Sequence, residues 1–278
     1  MNRPDFLIAG AQKAGSTWLA SKLSGHLDLY IADRELHYFN IDENYNKGPE
    51  WYAEFFKDAG QGQKIGEKTP NYLMSRSLGG EEMPALSRIK TDLPDAKILI
   101  VLRNPVERAF SAMRHHMWFG RLPPWADICE ILFGRYREKA EHWNVLAHGH
   151  YAWHINRCIE LFGQDKVRVW IFEEDIIRNP EGILRDSMEF IGVDSRWRPS
   201  KDNKTSNKGV NSRAVLTANY YTPFLGPMWQ AVDRAVHGKF DVTQSCKDRL
   251  TEYYAKDVAQ LEGVLGRSLS VWGSESPN

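Results

Sequence analysis

Phe6-Leu-Ile-Ala-Gly10-Ala-Gln-Lys13-Ala-Gly15-Ser16-Thr17-Trp18 is the stretch that decides the fold. Phe6 to Ala9 is a short apolar run of the kind that forms a buried strand. A turn bounded by glycines and carrying one lysine follows. Ser16 and Thr17 then open an amphipathic run, Trp18-Leu19-Ala20-Ser-Lys-Leu23, which is expected to be helical. A strand that feeds a helix through a glycine turn makes an anion cradle. The first backbone N–H groups of the helix have no partner within it, and the helix dipole adds partial positive charge there. Gly10 and Gly15 let the backbone wrap closely around a tetrahedral oxyanion, and Lys13 supplies a full charge. The expected ligand is a phosphate or phosphosulfate. The candidate binding residues are Gln12, Lys13, Ala14, Gly15, Ser16, Thr17 and Trp18. The order is not that of the nucleoside-triphosphate loop G-x-x-x-x-G-K-[ST], because here the lysine precedes the glycine.

A second strand carries the argument outward. Lys97-Ile-Leu-Ile-Val-Leu102 is the clearest buried parallel strand, and the pattern from Val106 to Met117 predicts a helix. Between them stand Arg103-Asn104-Pro105. A P-loop ATPase or GTPase commonly ends a core strand in Asp to hold Mg²⁺. An arginine in that place suits a second anionic group gripped by two N–H donors. Ser111, on the second turn of the expected helix, is a candidate for the same anion. Two anion sites describe a nucleotide phosphorylated at both ends of its ribose.

Two further segments supply chemistry. In Glu35-Leu36-His37-Tyr38, alternation along an extended segment would put Glu35 and His37 on one face, a general-base arrangement. Gln63-Lys-Ile-Gly66-Glu67-Lys68-Thr69-Pro70 reads as a short strand ending in a polar loop. That places Lys68 at the carboxyl edge of the sheet, where open α/β sheets bind ligands. Glu67 is expected to have a structural or lysine-pairing role. In Lys47-Gly-Pro49-Glu-Trp51-Tyr52-Ala-Glu-Phe55-Phe56, an amphipathic helix is expected, with Trp51 and Phe55 packed inward.

Taken together, these motifs resemble the sulfotransferases that use 3′-phosphoadenosine 5′-phosphosulfate (PAPS), and especially the heparan sulfate glucosaminyl sulfotransferases and their bacterial relatives. Gly10 to Thr17 resembles that family's 5′-phosphosulfate loop. Glu35-Leu-His37-Tyr-Phe39 is similar to its E-x-H-F-F stretch, Lys47 to Tyr52 to its K-G-x-x-W-Y, and Glu67-Lys68-Thr69-Pro-Asn-Tyr72 to its E-K-[TS]-x-x-Y. Arg103 through Arg108 to Ser111 matches its R-x-P-x-x-R-A-x-S motif for the 3′-phosphate. Gly149-His-Tyr151-Ala-Trp-His154 resembles its G-x-Y-x-x-H helix. A basic loop at 201–213 resembles the segment that closes over the nucleotide. Lys208 and Gly209 are the candidates there, with Lys204 an alternative register. Ser245 to Leu265 and Leu269-Ser-Val-Trp272 resemble its last helix and closing strand.

The resemblance implies an α/β, three-layer, P-loop-like fold with a central parallel sheet flanked by helices. It also implies sulfuryl transfer from PAPS to a hydroxyl or amine of a small-molecule or carbohydrate acceptor, leaving adenosine 3′,5′-bisphosphate (PAP). In that reading Glu35 is the base, His37 orients it, Lys13 and Lys68 stabilise the leaving group and the sulfuryl group, and Arg103 and Ser111 hold the 3′-phosphate. No metal is expected. The competing readings are a P-loop kinase of a small metabolite and a nucleotide-binding regulatory module without catalysis.

Composition sets the outer bounds. The 278 residues show no Pro/Gly/Ser-rich linker, so one domain over residues 1–278 is expected. Thirty-six basic residues balance thirty-six acidic ones, which argues against nonspecific nucleic-acid binding. No apolar run is long enough to span a bilayer, and Met1-Asn-Arg-Pro leads straight into the first strand. Cys129, Cys158 and Cys246 are odd in number and follow no metal-binding spacing, so free buried thiols in a reducing compartment are expected. The expected location is cytoplasmic.

Overall fold

Five parallel strands in the order β2-β3-β1-β4-β5 make one sheet: β1 Phe6–Gly10, β2 Leu29–Ile31, β3 Lys64–Lys68, β4 Lys97–Leu102 and β5 Val167–Ile171. The structure, a computed structural model, describes residues 2–199, 209–236 and 240–273. Every residue of β1 is buried, as the continuous apolar run requires of a strand covered on both faces. Phe6 pairs with Gly66 of β3 on one side and with Lys97 of β4 on the other. The chain therefore leaves β1 toward β2 and β3 first, then crosses to β4 and β5. The order reverses at β1, and ligands of open α/β sheets bind outside the carboxyl ends of the strands at such a point.

Alternate residues build the layers. Phe6, Ile8, Leu99 and Val101 face a core shared with Leu19 and Leu23 of α1 (Ser16–Leu23) and with Ile183, Leu184 and Met188 of the helix Pro180–Ile191. Leu7, Ile98 and Ile100 point the opposite way and are fully buried. On β5 packs the helix Tyr151–Phe162, and the helix Ala85–Asp92 packs on that helix in turn. The expected sheet flanked by helices is the one observed.

The chain sorts into two compact units. One comprises Met1–Asn104, Tyr151–Ser206 and Gln260–Asn278, and holds the sheet. The other comprises Pro105–His150 and Asn207–Ala259. The second unit is helical, with Pro105–Trp118, Arg213–Tyr221, Gly226–Val236 and most of Gln244–Leu265. Its interior is organised by Arg108. This side chain is fully buried, donates to Val145 O and bonds Tyr254, whose hydroxyl donates to Leu146 O at 2.9 Å.

Several local expectations are corrected. Cys129 and Cys246 are not free thiols. They form a disulfide inside the second unit across 117 residues, with Cα atoms 5.8 Å apart, and only Cys158 is a free, buried thiol among the described residues. Disulfides persist where the surroundings are oxidising, so the cysteines no longer argue for a reducing compartment. Leu269–Trp272 is not a closing strand, because Ser270–Trp272 is a 3₁₀ turn. The helix at Pro49 ends at Ala53 and tightens to a 3₁₀ turn over Glu54–Phe56. That change of period buries Tyr52 and Phe56, while Trp51 and Phe55 meet edge to face, half-buried, with ring centres 4.8 Å apart. Among the described residues no helix is long and apolar enough to cross a membrane.

Candidate active site

The carboxyl ends of β1, β3 and β4 present Lys13, Lys68 and Arg103 in the sheet-bearing unit. The turn after β1 is tightly shaped. Lys13 takes φ +66° and Gly15 φ +105°, both left-handed, and the Ala11 N–H donates to Val101 O at 2.7 Å. A Cβ on Gly15 would stand 2.8 Å from Ile176 Cδ1 and 2.9 Å from Phe172 Cδ2, so only glycine lets α1 start this close to the segment after β5. Gly15 is the N-cap of α1, and no side chain caps the helix. The first-turn N–H groups of Ser16, Thr17 and Trp18 therefore meet no capping oxygen, the condition of a helix-terminal anion site. Gln12 Oε1 is buried with no hydrogen-bond partner at the same turn. The expected binding stretch Gln12 to Trp18 is thus one continuous turn and helix start.

Lys68, the last residue of β3, reaches across to this turn. Its Nζ lies 3.3 Å from Thr17 Oγ1 and 2.6 Å from Glu35 Oε1, with only 14% of the side chain exposed. Glu35 Oε2 lies 3.5 Å from His37 Nε2, and His37 Nδ1 lies 3.2 Å from Asn40 Oδ1. Lys68, Glu35 and His37 form one chain of charge beside the cradle. The expected pairing of Glu35 with His37 is present, but its stated cause is not. His37 has φ +51°, so the segment is a left-handed turn and not an extended one.

The charges set the protonation states. Burial pushes the Glu35 carboxyl up, but hydrogen bonds from His37 and Lys68, and their charges, outweigh it and bring it down to about 2. The His37 imidazole is raised by its bond to Glu35. Burial opposes that rise, and Asn40 and the charges of Glu35 and Glu67 support it. At neutral pH Glu35 is an ionised acceptor held between two donors.

Arg103 follows β4 directly. Its guanidinium carbon lies 5.0 Å from the centre of the Phe172 ring, and its carbonyl accepts from Tyr151 Oη at 2.9 Å. Asn104 is fixed by Glu173 Oε1, which accepts its N–H at 3.0 Å, and by Trp272 O, which accepts its Nδ2 at 3.0 Å. Trp272 Nε1 in turn donates to Glu173 Oε2 at 3.0 Å. The turn that carries Arg103 is therefore clamped by residues far away in sequence. The sequence presents Tyr151 only as part of a motif, and no local signal marks its part here or that of Glu173.

The remaining candidates divide. Ser111 is half-buried on Pro105–Trp118 in the second unit. Gly209 is exposed in the same unit, and Lys204 and Lys208 lie outside the described residues. Glu67 is fully buried and meets hydroxyl groups, not a lysine. Among the described residues, no cluster of three or more His, Cys, Asp or Glu is arranged to hold a metal ion.

Comparison with known proteins now bears on this arrangement. A family model described as a sulfotransferase domain matches residues 3–256. The chain is similar to mouse heparan sulfate glucosamine 3-O-sulfotransferase 3A1, 29% identical over 195 residues, which are 68% of this chain and 46% of the relative. It is also similar to mouse bifunctional heparan sulfate N-deacetylase/N-sulfotransferase 4, 28% identical over 71% of this chain and 23% of the relative. The chain thus spans about half or less of the length of these relatives. Among solved structures, a sulfotransferase from Alicyclobacillus acidocaldarius superposes with a TM-score of 0.74 at 29% identity, covering 99% of this chain and 100% of that one. With the family model running through both compact units and this neighbour matching almost end to end, the chain belongs to the sulfotransferase family.

Proposed function

We propose that the enzyme moves the sulfuryl group of PAPS to a hydroxyl or amine of a carbohydrate or glycosylated small molecule, and that residues 1–278 act as one sulfotransferase domain. One observation supports this above the others. A carboxylate flanked by lysine and imidazole stands directly beside a helix-terminal anion cradle, with Lys68 touching both Glu35 and Thr17. The cradle fits a phosphosulfate: it has uncapped N–H groups at the start of α1 and a lysine in the turn that leads to them.

In this reading the donor's 5′-phosphosulfate lies on the turn from Gln12 to Trp18, with Lys13 and the first N–H groups of α1 around it. Arg103 binds the 3′-phosphate. Ser111, Lys208 and Gly209 join the donor site on the strength of their sequence motifs. Glu35 accepts the proton of the acceptor O–H or N–H as that atom attacks sulfur in line. The new bond to sulfur forms while the bridging bond from sulfur to the 5′-phosphate oxygen breaks, and PAP leaves. Lys13 and the helix N–H groups stabilise the charge that collects on the departing oxygen, and Lys68 steadies the sulfuryl oxygens. A carboxylate with its pKa near 2 is a weak base, which suits proton transfer late in the displacement, when the attacking atom has become acidic.

The acceptor class is drawn from the relatives, whose names specify heparan sulfate. Incubation with PAPS and a panel of glycosaminoglycan oligosaccharides, read by mass spectrometry, tests it. A mass gain of one sulfuryl group on a sugar, with PAP formed in equal amount, is expected. Sulfation confined to phenols or lipids would refute the acceptor class, and transfer from ATP in place of PAPS would refute the donor.

A further inference from the structure

We propose that Glu67 is the positioning residue of the site: through a shell of hydroxyl groups it fixes the backbone of residues 36–39 and so sets how Glu35 meets His37. The inference rests on the reading of Glu35 as the base. Glu67 sits in β3, level with Leu7 of β1, and is wholly shielded from solvent. A buried carboxylate is strongly disfavoured unless its lone pairs are filled. Here they are filled by four donors. Tyr52 Oη donates to Oε2, Thr69 Oγ1 donates to Oε1 at 2.8 Å, Tyr72 Oη donates to Oε1 at 2.7 Å, and the Leu36 N–H bonds the same carboxylate.

Two of those hydroxyl oxygens accept in their turn. Thr69 Oγ1 takes the His37 N–H at 3.4 Å, while Tyr72 Oη takes the Tyr38 N–H at 2.9 Å and lies 3.5 Å from the Phe39 N–H. Every backbone N–H from Leu36 to Phe39 is thereby tied, directly or through one hydroxyl, to one carboxylate. The carbonyls of Leu36 and His37 are held separately by Asn44 Nδ2, at 3.3 and 3.4 Å.

This overdetermination has a specific consequence. His37 takes φ +51°, a left-handed conformation that a residue with a side chain adopts only where surrounding bonds enforce it. In that conformation its Nε2 comes to 3.5 Å from Glu35 Oε2. The groups bonded to Glu67 are Tyr52, Thr69, Tyr72 and Leu36, none of which belongs to the cradle turn. Loss of Glu67 should therefore change the chemical step more than donor binding. The groups facing His37 are Glu35, Asn40, Thr69 and the Glu67 charge.

The test uses two variants of the full chain. Glu67→Gln keeps the shape but turns an amide N–H₂ toward a hydroxyl donor. Tyr72→Phe leaves Glu67 in place and removes one bridging oxygen. Three quantities are measured: PAP affinity by calorimetry, kcat and KM with PAPS and a sulfated glycan, and the titration midpoint of His37 by imidazole NMR. The expected result is PAP affinity within about threefold of wild type, kcat lower by about tenfold or more in both variants with little change in KM, and a shifted His37 midpoint in Tyr72→Phe, where the Glu67 charge is kept. Equal losses of affinity and rate that track thermal stability would reduce Glu67 to a structural residue and overturn the proposal. So would an unchanged His37 midpoint in Tyr72→Phe. Should wild type transfer nothing from PAPS, the functional reading fails on its own, and the NMR midpoint in Tyr72→Phe still decides whether the shell around Glu67 places His37.

Discussion

Glu35→Gln separates the proposed base from its neighbours with the least disturbance. The substitution keeps the size of the side chain and removes its charge. General-base catalysis is worth about 10² to 10⁴ in rate, or roughly 3–5 kcal/mol of barrier, and that loss is expected in kcat. The effect on the donor should run the other way. Lys68 Nζ is 2.6 Å from Glu35 Oε1, and at that distance the attraction is about 6 kcal/mol at an effective dielectric of 20 and about 1.6 kcal/mol in water. Part of it offsets the cost of burying Lys68, so only a fraction competes with an incoming sulfonate. Removing the carboxylate charge should leave PAPS affinity unchanged or tighter by up to about tenfold, about 1.4 kcal/mol. Calorimetry with PAPS, paired with single-turnover transfer to a glycan acceptor, reads both quantities. A kcat within threefold of wild type would take Glu35 out of the mechanism. A rate and an affinity that fall together would show that Glu35 builds the site without acting in it.

Five further outcomes follow from the same geometry. Gly15→Ala, which puts a methyl group under 3 Å from Ile176 and Phe172 at φ +105°, should cost about 2–3 kcal/mol of stability and weaken PAP binding, read by thermal melts and calorimetry. Glu35, held near pKa 2, should leave no acid limb in kcat/KM above about pH 4. In Lys68→Met, which removes one of its two cationic partners, that limb should move up toward the ordinary carboxylate range. The same depressed pKa stabilises the fold above the ordinary Glu value, and that contribution fades as pH falls toward 2, so Glu35→Gln should flatten the acid end of the stability curve. Cys129→Ala should lower unfolding free energy by about 2–4 kcal/mol through loss of a 117-residue closure, with Cys246 then reactive to a thiol reagent after denaturation; equal denaturation midpoints would dismiss the disulfide's contribution.

The strands and the cradle were legible because their causes are local. Phe6–Gly10 and Lys97–Leu102 are apolar throughout, as strands buried on both faces must be, and the glycines around Lys13 permit a turn few other residues tolerate. Lys68 and Arg103 could be placed because a residue at a strand's carboxyl end has only one edge of the sheet to occupy. What escaped the sequence depends on partners far along the chain. The left-handed turn at His37 is enforced by Thr69 and Tyr72, more than thirty residues away. Arg108 looked like a ligand-binding motif residue, yet it is committed to Val145 and Tyr254. The disulfide joins residues whose separation carries no spacing signal. Tyr52 and Phe56, not Trp51 and Phe55, face inward because the helix tightens, a change of period that a 3.6-residue pattern does not register.

The most direct measurement of the central claim is calorimetric titration of PAP, with EDTA present, against titration of ATP with Mg²⁺. Two fixed positive sites at the carboxyl edge, the turn around Lys13 and the guanidinium of Arg103, should bind PAP without a divalent cation, and Lys13→Ala and Arg103→Ala should each weaken it at least about tenfold. Binding of ATP with Mg²⁺ in preference to PAP, or PAP binding indifferent to both substitutions, would contradict the account.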